Sequence, residues 1–193
     1  MNGHPPPERR VPPGLTLLLG GARSGKSTFA VELGRAWAGS VTFLATAEPL
    51  DDDMTHRIDR HRAERPPWAT VEEPLDLDGA LGAVAADHLV IVDCLTLWVS
   101  NLLLAGVGEE QIAERARAAA EIAAARPAPV VAITNEVGWG IVPANELARV
   151  YQDALGRTNQ CWAAAAARSL LLVAGRAVQL GDPWTALASD APR

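Results

Sequence analysis

A glycine-rich segment directly after a short apolar run constrains the fold more than any other part of the chain. Residues 15–28 read LTLLLGGARSGKST, and residues 20–27 match the phosphate-loop pattern G-x-x-x-x-G-K-[ST]. The flanks fit as well, because the apolar run predicts a strand over 15–19 and residues 27–38 read as a helix. In such an arrangement the backbone amides and the helix N-terminus bind a polyphosphate. The alternative, a tight turn without a ligand, is disfavoured because pattern and context agree.

The lysine of this segment is chemically distinctive, because Lys26 is the single lysine among 17 lysine and arginine residues. A compact ammonium with three rotatable donors fits between the β- and γ-phosphates, where a planar guanidinium is harder to place. Ser27 offers a hydroxyl group to Mg²⁺, and Asp93, at the end of the apolar run LVIVD, can hold the same ion through water. For Asp93 the alternative is an aspartate that only caps the turn after a strand.

The rest of the chain alternates apolar runs with helical segments, which predicts an α/β fold with a mostly parallel sheet and helices on both faces. We expect one domain of the P-loop NTPase type over residues 15–193, preceded by a disordered, proline-rich tail over residues 1–14. The predicted strands cover 15–19, 41–46, 89–94, 130–135 and 169–175, with AVQL as a further one, and the predicted helices cover 27–38, 51–64, 109–125 and 145–167.

Ligands of parallel α/β sheets bind beyond the carboxyl ends of the strands. The loops after four of the predicted strands should therefore meet at one edge of the sheet and form one site. These loops begin after Leu19, Thr46, Asp93 and Asn135.

Composition and charge exclude several classes of function. A net charge of −6 argues against a broad surface for nucleic acids or membranes. No apolar run approaches the ~18 residues that a membrane-spanning helix needs. Cys94 and Cys161 are far apart and form no C-x-x-C pattern, so we expect reduced thiols and a cytoplasmic protein.

The segment DDDMTHRIDRHRAERPPW, residues 51–68, narrows the chemistry further. On a helix, Arg57, His61 and Arg65 stand at i, i+4 and i+8 and share one face, with Arg60 and Arg62 beside the row. Positive neighbours favour the neutral imidazole, which is a nucleophile, and they suit an anionic phosphate target. On pattern alone, a solvated amphipathic helix with an uninvolved histidine is the favoured alternative.

A second glycine-bearing loop, NEVGWGIVPAN, covers residues 135–145. Its glycines permit an irregular path at a strand end, and Asn145 can cap the helix that follows. An ordinary connection is one interpretation. The other is a functional loop that presents an exposed Trp139 at the predicted site.

Taken together, these motifs resemble the bifunctional adenosylcobinamide kinase / adenosylcobinamide-phosphate guanylyltransferases of cobalamin biosynthesis, over about Leu15 to Leu180. The similarity is carried by GGARSGKS (20–27), ATAEPLDDDM (45–54), RIDRHRAERP (57–66), WATVEEP (68–74), VDCLTLWVSNLL (92–103) and TNEVGWGIVPANELARVYQDALGRTNQ (134–160). The last block is long and specific, whereas many enzymes share the glycine loop.

The resemblance implies two reactions. A nucleoside triphosphate, ATP or GTP, phosphorylates the aminopropanol hydroxyl of adenosylcobinamide. A histidine then attacks the α-phosphorus of GTP, releases pyrophosphate and passes the GMP to adenosylcobinamide phosphate, which gives adenosylcobinamide-GDP. His61 matches the guanylylated histidine, and Arg60 stands where some members carry a second histidine.

The resemblance also implies Mg²⁺, a homotrimer, and a set of GTP contacts. Ser27 and Asp93 are the implied metal ligands, and Lys26 joins His61 as a catalytic residue. Glu73, adjacent to Glu72, is an open alternative for that position, and Trp139 could contact the corrinoid or a neighbouring subunit. The implied nucleotide contacts are Gly20, Gly21, Ala22, Arg23, Ser24, Gly25, Lys26, Ser27, Ala45, Thr46, Ala47, Arg62, Ala63, Glu64, Arg65, Glu72 and Asp93.

Two other functions stay open from the sequence. One is a simpler P-loop small-molecule kinase or ATPase, in which His61 forms no intermediate. The other is a nucleotide-binding switch without turnover, which the absence of an NKxD guanine-reading motif disfavours.

Overall fold

The computed structural model describes residues 10–48 and 52–189, without the side chains of residues 53, 57, 61, 186, 188 and 189. Within these residues the chain forms seven strands and seven helices. In chain order they are β1 (Leu15–Leu19), α1 (Lys26–Ala36), β2 (Val41–Ala45), α2 (Asp52–Glu64), β3 (Ala69–Glu72), α3 (Leu77–Ala83), β4 (Leu89–Asp93), α4 (Leu95–Leu104), α5 (Glu109–Ala125), β5 (Val130–Ile133), α6 (Glu146–Ala165), β6 (Arg168–Val173), β7 (Arg176–Leu180) and α7 (Pro183–Ser189).

The strands form one sheet in the order β3-β2-β4-β5-β1-β6-β7. Every neighbouring pair is parallel except β6 and β7, which pair antiparallel at one edge. The predicted mostly parallel sheet is therefore confirmed. The parallel pairings place the carboxyl ends of β1, β2, β4 and β5 at the same edge, with Leu18 opposite Ile133 and Asp93 opposite Ile133.

Two apolar clusters cover the two faces of the sheet, because side chains alternate along each strand. Leu17 faces the cluster that contains Trp98 of α4 and Trp162 of α6. Leu18, its neighbour in the strand, faces the cluster that contains Ala30 of α1. Helices cover both faces, as the sequence predicts.

Four elements were not predicted: β3, α3, α4 and α7. β3 is only four residues long, and all of them are exposed, so it lacks the run of buried apolar residues by which the central strands were predicted. In contrast, α4 reads LTLWVSNLLL and is mostly buried, so it shows no polar face to give a helical period. The predicted cap of α6 is confirmed, because the Asn145 side chain accepts from the Ala148 amide at 3.3 Å.

Of the predicted tail, residues 1–9 lie outside the described part of the chain. Residues 10–14 form neither helix nor strand. Val11 packs against the cluster that contains Leu18, and the Pro13 carbonyl accepts from Arg168 at 3.1 Å. Among the residues that the structure describes, no helix combines the length and the apolar character needed to cross a membrane.

Two glycines inside helices should respond to alanine in opposite directions. A Cβ at Gly34 of α1 would lie 2.5 Å from the Trp68 ring, whereas a Cβ at Gly156 of α6 would meet no atom within 4 Å. We expect Gly34→Ala to lower the free energy of unfolding by about 1–3 kcal/mol through overpacking. Gly156→Ala should raise it by about 0.5–1 kcal/mol, because alanine loses less backbone entropy. Urea unfolding of both variants measures this, and two shifts of the same sign would contradict the packing described here.

Candidate active site

The loops at the carboxyl ends of the strands meet around a cavity of about 690 Å³. This confirms the prediction that they share one edge. The cavity is lined by the glycine loop, the ends of β2 to β5, and α2. Its lining residues are Ala22, Arg23, Lys26, Ser27, Phe43, Ala45, Ala47, Met54, Thr55, Ile58, Asp59, Arg60, Arg62, Glu64, Arg65, Glu72, Asp93, Cys94, Thr96, Leu97, Ile133 and Asn135.

The conformation of the glycine loop requires glycine at two positions. Gly20 has φ 146°, and a Cβ there would lie 2.3 Å from the Leu172 carbonyl oxygen. Gly25 has φ 104°, and a Cβ there would lie 3.3 Å from Cα of Gly175, in the turn between β6 and β7. The Gly175 amide also donates to the Ser24 carbonyl at 2.9 Å. The β6–β7 turn therefore packs against the glycine loop and helps to fix its conformation.

Several backbone amides of the loop are free to bind an anion. No described residue accepts a hydrogen bond from the N–H groups of residues 22, 23 and 25–27. These groups lie at the N-terminus of α1, where the aligned peptide dipoles of the helix favour negative charge. The loop thus presents donors and a positive potential together, which is the requirement for a phosphate site.

Lys26 is buried beside these amides, with 6% of its surface exposed. Its Nζ donates to the carbonyl oxygens of Gly20 at 2.9 Å and Gly21 at 2.7 Å, and to Ser24 Oγ at 3.3 Å. Burial lowers the pKa of this ammonium, and the nearby Cys94 and Asp93 act in the opposite direction. The loop therefore holds one cation in a narrow position next to a carboxylate.

The donor set of the cavity fits a magnesium ion. The Ser27 hydroxyl and the Asp93 carboxylate both line it, and Mg²⁺ prefers oxygen ligands. Within residues 10–48 and 52–189, no group of three or more His, Cys, Asp or Glu side chains could hold a metal alone. An ion between Ser27 and Asp93 would take its other ligands from phosphate and water.

The carboxyl end of α2 is fastened over β2 and β3 by arginines. The Arg65 guanidinium lies 3.8 Å from the centre of the Phe43 ring and donates to Thr70 Oγ1 at 3.0 Å. Burial and the neighbouring Arg62 lower the pKa of Arg65, whereas Asp93 and Glu72 oppose that shift. Arg62 forms an ion pair with Glu72. These contacts place α2 along one side of the cavity.

The helix predicted for this segment is present as α2, which contains positions 57 and 61, and Arg65 follows directly after its last residue. The side chains of Arg57 and His61 lie outside the described residues, so the row that they form with Arg65 stays a prediction. Residues of α2 on both sides of position 61, and Arg65 directly after the helix, line the cavity. They are Met54, Thr55, Ile58, Asp59, Arg60, Arg62, Glu64 and Arg65.

Glu72 and Glu73 have different roles in the structure. Glu72 lines the cavity and pairs with Arg62. The Glu73 carboxylate accepts from the amides of Leu75 and Asp76 at 2.9 and 2.8 Å, just before α3. This arrangement favours Glu72 for the position that the sequence left open.

Six of the residues expected at the nucleotide do not line the cavity: Gly20, Gly21, Ser24, Gly25, Thr46 and Ala63. The first four shape the glycine loop, and Ala63 is exposed on α2. Thr46 is fully buried, and its Oγ1 donates to the Cys94 carbonyl at 2.7 Å and accepts from the Cys94 amide at 2.9 Å. Thr46 therefore joins the ends of β2 and β4 rather than facing the cavity.

Sequence reasoning missed Asn101 of α4, Cys94 and the side chain of Asn135 as site residues. Asn101 Nδ2 donates to the carbonyls of Thr46 at 2.8 Å and Pro74 at 3.2 Å, which ties together the loops after β2 and β3. Cys94 lines the cavity, and burial raises the pKa of its thiol to about 12. No local signal marks Asn101, because its partners lie 55 and 27 residues away in the chain.

Alanine substitutions at two adjacent glycines should have different effects on the free energy of unfolding, because only one of the two positions lacks room for a Cβ. Gly20→Ala should lower the free energy of unfolding by about 1–3 kcal/mol, because it forces a side chain into positive φ and against Leu172. Gly21→Ala should change it by less than about 0.5 kcal/mol, since a Cβ there meets no atom within 4 Å. Urea unfolding without nucleotide measures both variants. Equal effects at the two positions would contradict this loop conformation.

Comparison with solved structures confirms the P-loop NTPase fold. An ATPase from the type III secretion system of pathogenic bacteria superposes with a TM-score of 0.51 at 12% identity, covering 93% of this chain and 54% of that one. The PH0250 protein of Pyrococcus horikoshii superposes with a TM-score of 0.55 at 6% identity, covering 89% of this chain and 87% of that one. At such identities the likeness concerns the fold alone.

Sequence comparison is more specific. Residues 16–180 match the family model described as cobinamide kinase / cobinamide phosphate guanyltransferase. The bifunctional adenosylcobalamin biosynthesis protein CobP of Pseudomonas aeruginosa is 42% identical over 170 residues, which cover 86% of this chain and 98% of that protein. The corresponding CobU protein of Salmonella typhimurium is 43% identical over 180 residues, with 86% and 99% covered. The chain therefore belongs to the cobinamide kinase / cobinamide phosphate guanyltransferase family.

Proposed function

We propose that this chain carries out two consecutive transfers on a cobinamide. It first phosphorylates the aminopropanol hydroxyl of adenosylcobinamide with ATP or GTP, and it then transfers GMP from GTP to the phosphorylated product, releasing pyrophosphate. The family and its bifunctional relatives support both activities. The structural observation that carries the proposal is that one cavity joins the glycine loop to α2.

In the kinase step, the substrate hydroxyl attacks the γ-phosphorus while the bond from the β–γ bridging oxygen to that phosphorus breaks. The free amides of residues 22, 23 and 25–27 and the Lys26 ammonium suit the charge that develops on the phosphate oxygens. Ser27 and Asp93 would hold Mg²⁺, which supplies charge neutralisation of the β- and γ-phosphates. The hydroxyl proton leaves to solvent or to a nearby carboxylate.

In the guanylyl step, the neutral imidazole of His61 attacks the α-phosphorus of GTP. A P–N bond forms, the bond from the α-phosphorus to the α–β bridging oxygen breaks, and pyrophosphate leaves. A phosphate oxygen of adenosylcobinamide phosphate then attacks the same phosphorus and releases the histidine. Covalent catalysis splits the transfer into two displacements. Arg60 and Arg62 of α2, and Arg65 just after it, line the cavity. Their positive charges suit the phosphates of GTP and of adenosylcobinamide phosphate.

We propose that one triphosphate site serves both steps within a single domain, residues 15–193, which acts in the cytoplasm. A cavity of about 690 Å³ lies within the usual range for one ligand of nucleotide size. The corrinoid ring must then lie outside the cavity, with only its aminopropanol arm inside.

We also propose that the chain assembles as a homotrimer, as the resemblance implies. The loop after β5 supports a covering partner, since Trp139, Ile141 and Val142 are 74%, 96% and 75% exposed. Contact between the same loop and the corrinoid is the other interpretation. Light scattering of the wild type and of Trp139→Ala, with and without adenosylcobinamide, separates the two. If a trimer forms without substrate and Trp139→Ala dissociates it, the loop belongs to the subunit interface. If Trp139→Ala leaves the trimer intact, the loop is not assigned to that interface.

The histidine intermediate is tested with GTP that carries a label on its α-phosphate. We expect the wild-type protein to retain acid-labile, alkali-stable label, as a phosphoramidate does, and His61→Ala to retain none while it still phosphorylates adenosylcobinamide. His56→Ala is the matched control, because His56 is an exposed histidine of the same helix, and it should label normally. Label that persists in His61→Ala contradicts the assignment. Phosphorylation without label in the wild type favours the simpler kinase.

The unique lysine is tested by two substitutions. Lys26→Ala should lower turnover in both steps by about 100-fold or more, because it removes the ammonium that would bind the charge developing on the phosphates. Lys26→Arg should lose nearly as much, since three oxygen atoms within 3.3 Å surround the ammonium and a planar guanidinium does not fit there. Thermal unfolding of both variants checks that the fold survives. Near-normal turnover of the arginine variant would contradict the steric explanation for this lysine.

A further inference from the structure

We propose that the side-chain amide of Asn135 binds the terminal phosphate of the nucleotide and supports the kinase step selectively. The inference rests on the proposed function and assigns a contact residue to it. Asn135 lines the cavity just beyond β5, which lies in the sheet between the strand of the glycine loop and the strand that ends at Asp93. The residue therefore stands between the two groups that hold the phosphates and the metal.

The backbone of Asn135 is fixed by two buried side chains from separate helices. Its amide donates to Thr96 Oγ1 of α4 at 2.8 Å, and its carbonyl accepts from Asn159 Nδ2 of α6 at 3.0 Å. Asn159 is itself oriented by Thr134, whose hydroxyl donates to Asn159 Oδ1 at 2.7 Å. Thr96, Thr134 and Asn159 are 7%, 0% and 5% exposed. Buried polar groups of this kind make position 135 rigid.

The carboxamide of Asn135 remains available to a ligand. No residue in the described part of the chain forms a hydrogen bond with this side chain, although both backbone groups are occupied. A neutral amide offers two N–H donors to phosphate oxygens without adding charge to a cavity that already contains Lys26 and several arginines. Such a group can align a phosphate without holding the product too tightly.

The position of Asn135 favours the terminal phosphate over the α-phosphate. The next residue, Glu136, donates its amide to the Gly20 carbonyl at 3.3 Å, and the same carbonyl accepts from Lys26 Nζ at 2.9 Å. Asn135 therefore lies near the ammonium end of the loop, where the lysine reaches the β- and γ-phosphates. The α2 helix, which carries His61, lies along the other wall with Phe43 and Glu72.

The proposal is tested with Asn135→Ala and the isosteric Asn135→Asp. In Asn135→Ala, kcat for phosphorylation of adenosylcobinamide should fall about 10- to 100-fold, as expected for a lost hydrogen bond to a charged group. At saturating α-labelled GTP, labelling of His61 should change less than about threefold, because that step breaks the bond at the α-phosphorus. Asn135→Asp should be slower still in the kinase step, since its carboxylate repels the phosphate.

Gln152→Ala is the control variant. It removes a carboxamide that donates to the Val137 carbonyl of the same loop but does not line the cavity.

A binding measurement makes the test independent of turnover. By calorimetry, the ratio of affinities for a non-hydrolysable GTP analogue and for GDP should fall about tenfold in Asn135→Ala, with an unchanged Tm. An unchanged ratio of affinities overturns the proposal. Equal losses of phosphorylation and of His61 labelling, together with a lower Tm, also overturn it, because they would assign Asn135 a structural role. Failure of the proposed function looks different, because the wild-type protein would then neither phosphorylate adenosylcobinamide nor retain label, whatever the affinities of the Asn135 variants.

Discussion

The hydrogen bonds of the Lys26 ammonium to the Gly20 and Gly21 carbonyls are the interaction on which the rest of the site depends. They fold the glycine loop around one cation at the N-terminus of α1, where several loop amides have no acceptor among the described residues. Burying the ammonium has a cost, which its three oxygen contacts and the nearby Asp93 offset. A triphosphate that enters the loop can therefore replace carbonyl oxygens with phosphate oxygens around the same cation.

Around this loop, polar bridges hold the ends of the strands in place. The Thr46 hydroxyl binds the backbone of Cys94, Asn101 binds the loops after β2 and β3, and Asn159 binds the loop after β5. Loops that meet a ligand have few apolar contacts of their own, so buried hydrogen bonds from neighbouring helices must fix them. The sheet determines where the loops begin, and these hydrogen bonds determine the conformation of the loops around the cavity.

The sequence was informative where structure is encoded locally. The glycine loop, the strand at its start and the long α6 with its Asn145 cap follow from spacing and composition within about twenty residues. The short, exposed β3 and the mostly apolar α4, whose Thr96 and Asn101 are buried, lack such a local pattern, and neither was predicted. Asn101 and Asn159 were missed for the same reason, because they act on residues far away in the chain. Family resemblance supplied most candidate contacts, but only the fold distinguishes Glu72, at the cavity, from Glu73, at the start of α3.

The most direct test of this account is a crystal structure with a non-hydrolysable GTP analogue and magnesium. The account predicts that the amides of residues 22, 23 and 25–27 donate to the phosphate oxygens and that Lys26 Nζ leaves the Gly20 and Gly21 carbonyls to bind the β- and γ-phosphates. A triphosphate bound elsewhere, with Lys26 still bonded to both carbonyls, would contradict it.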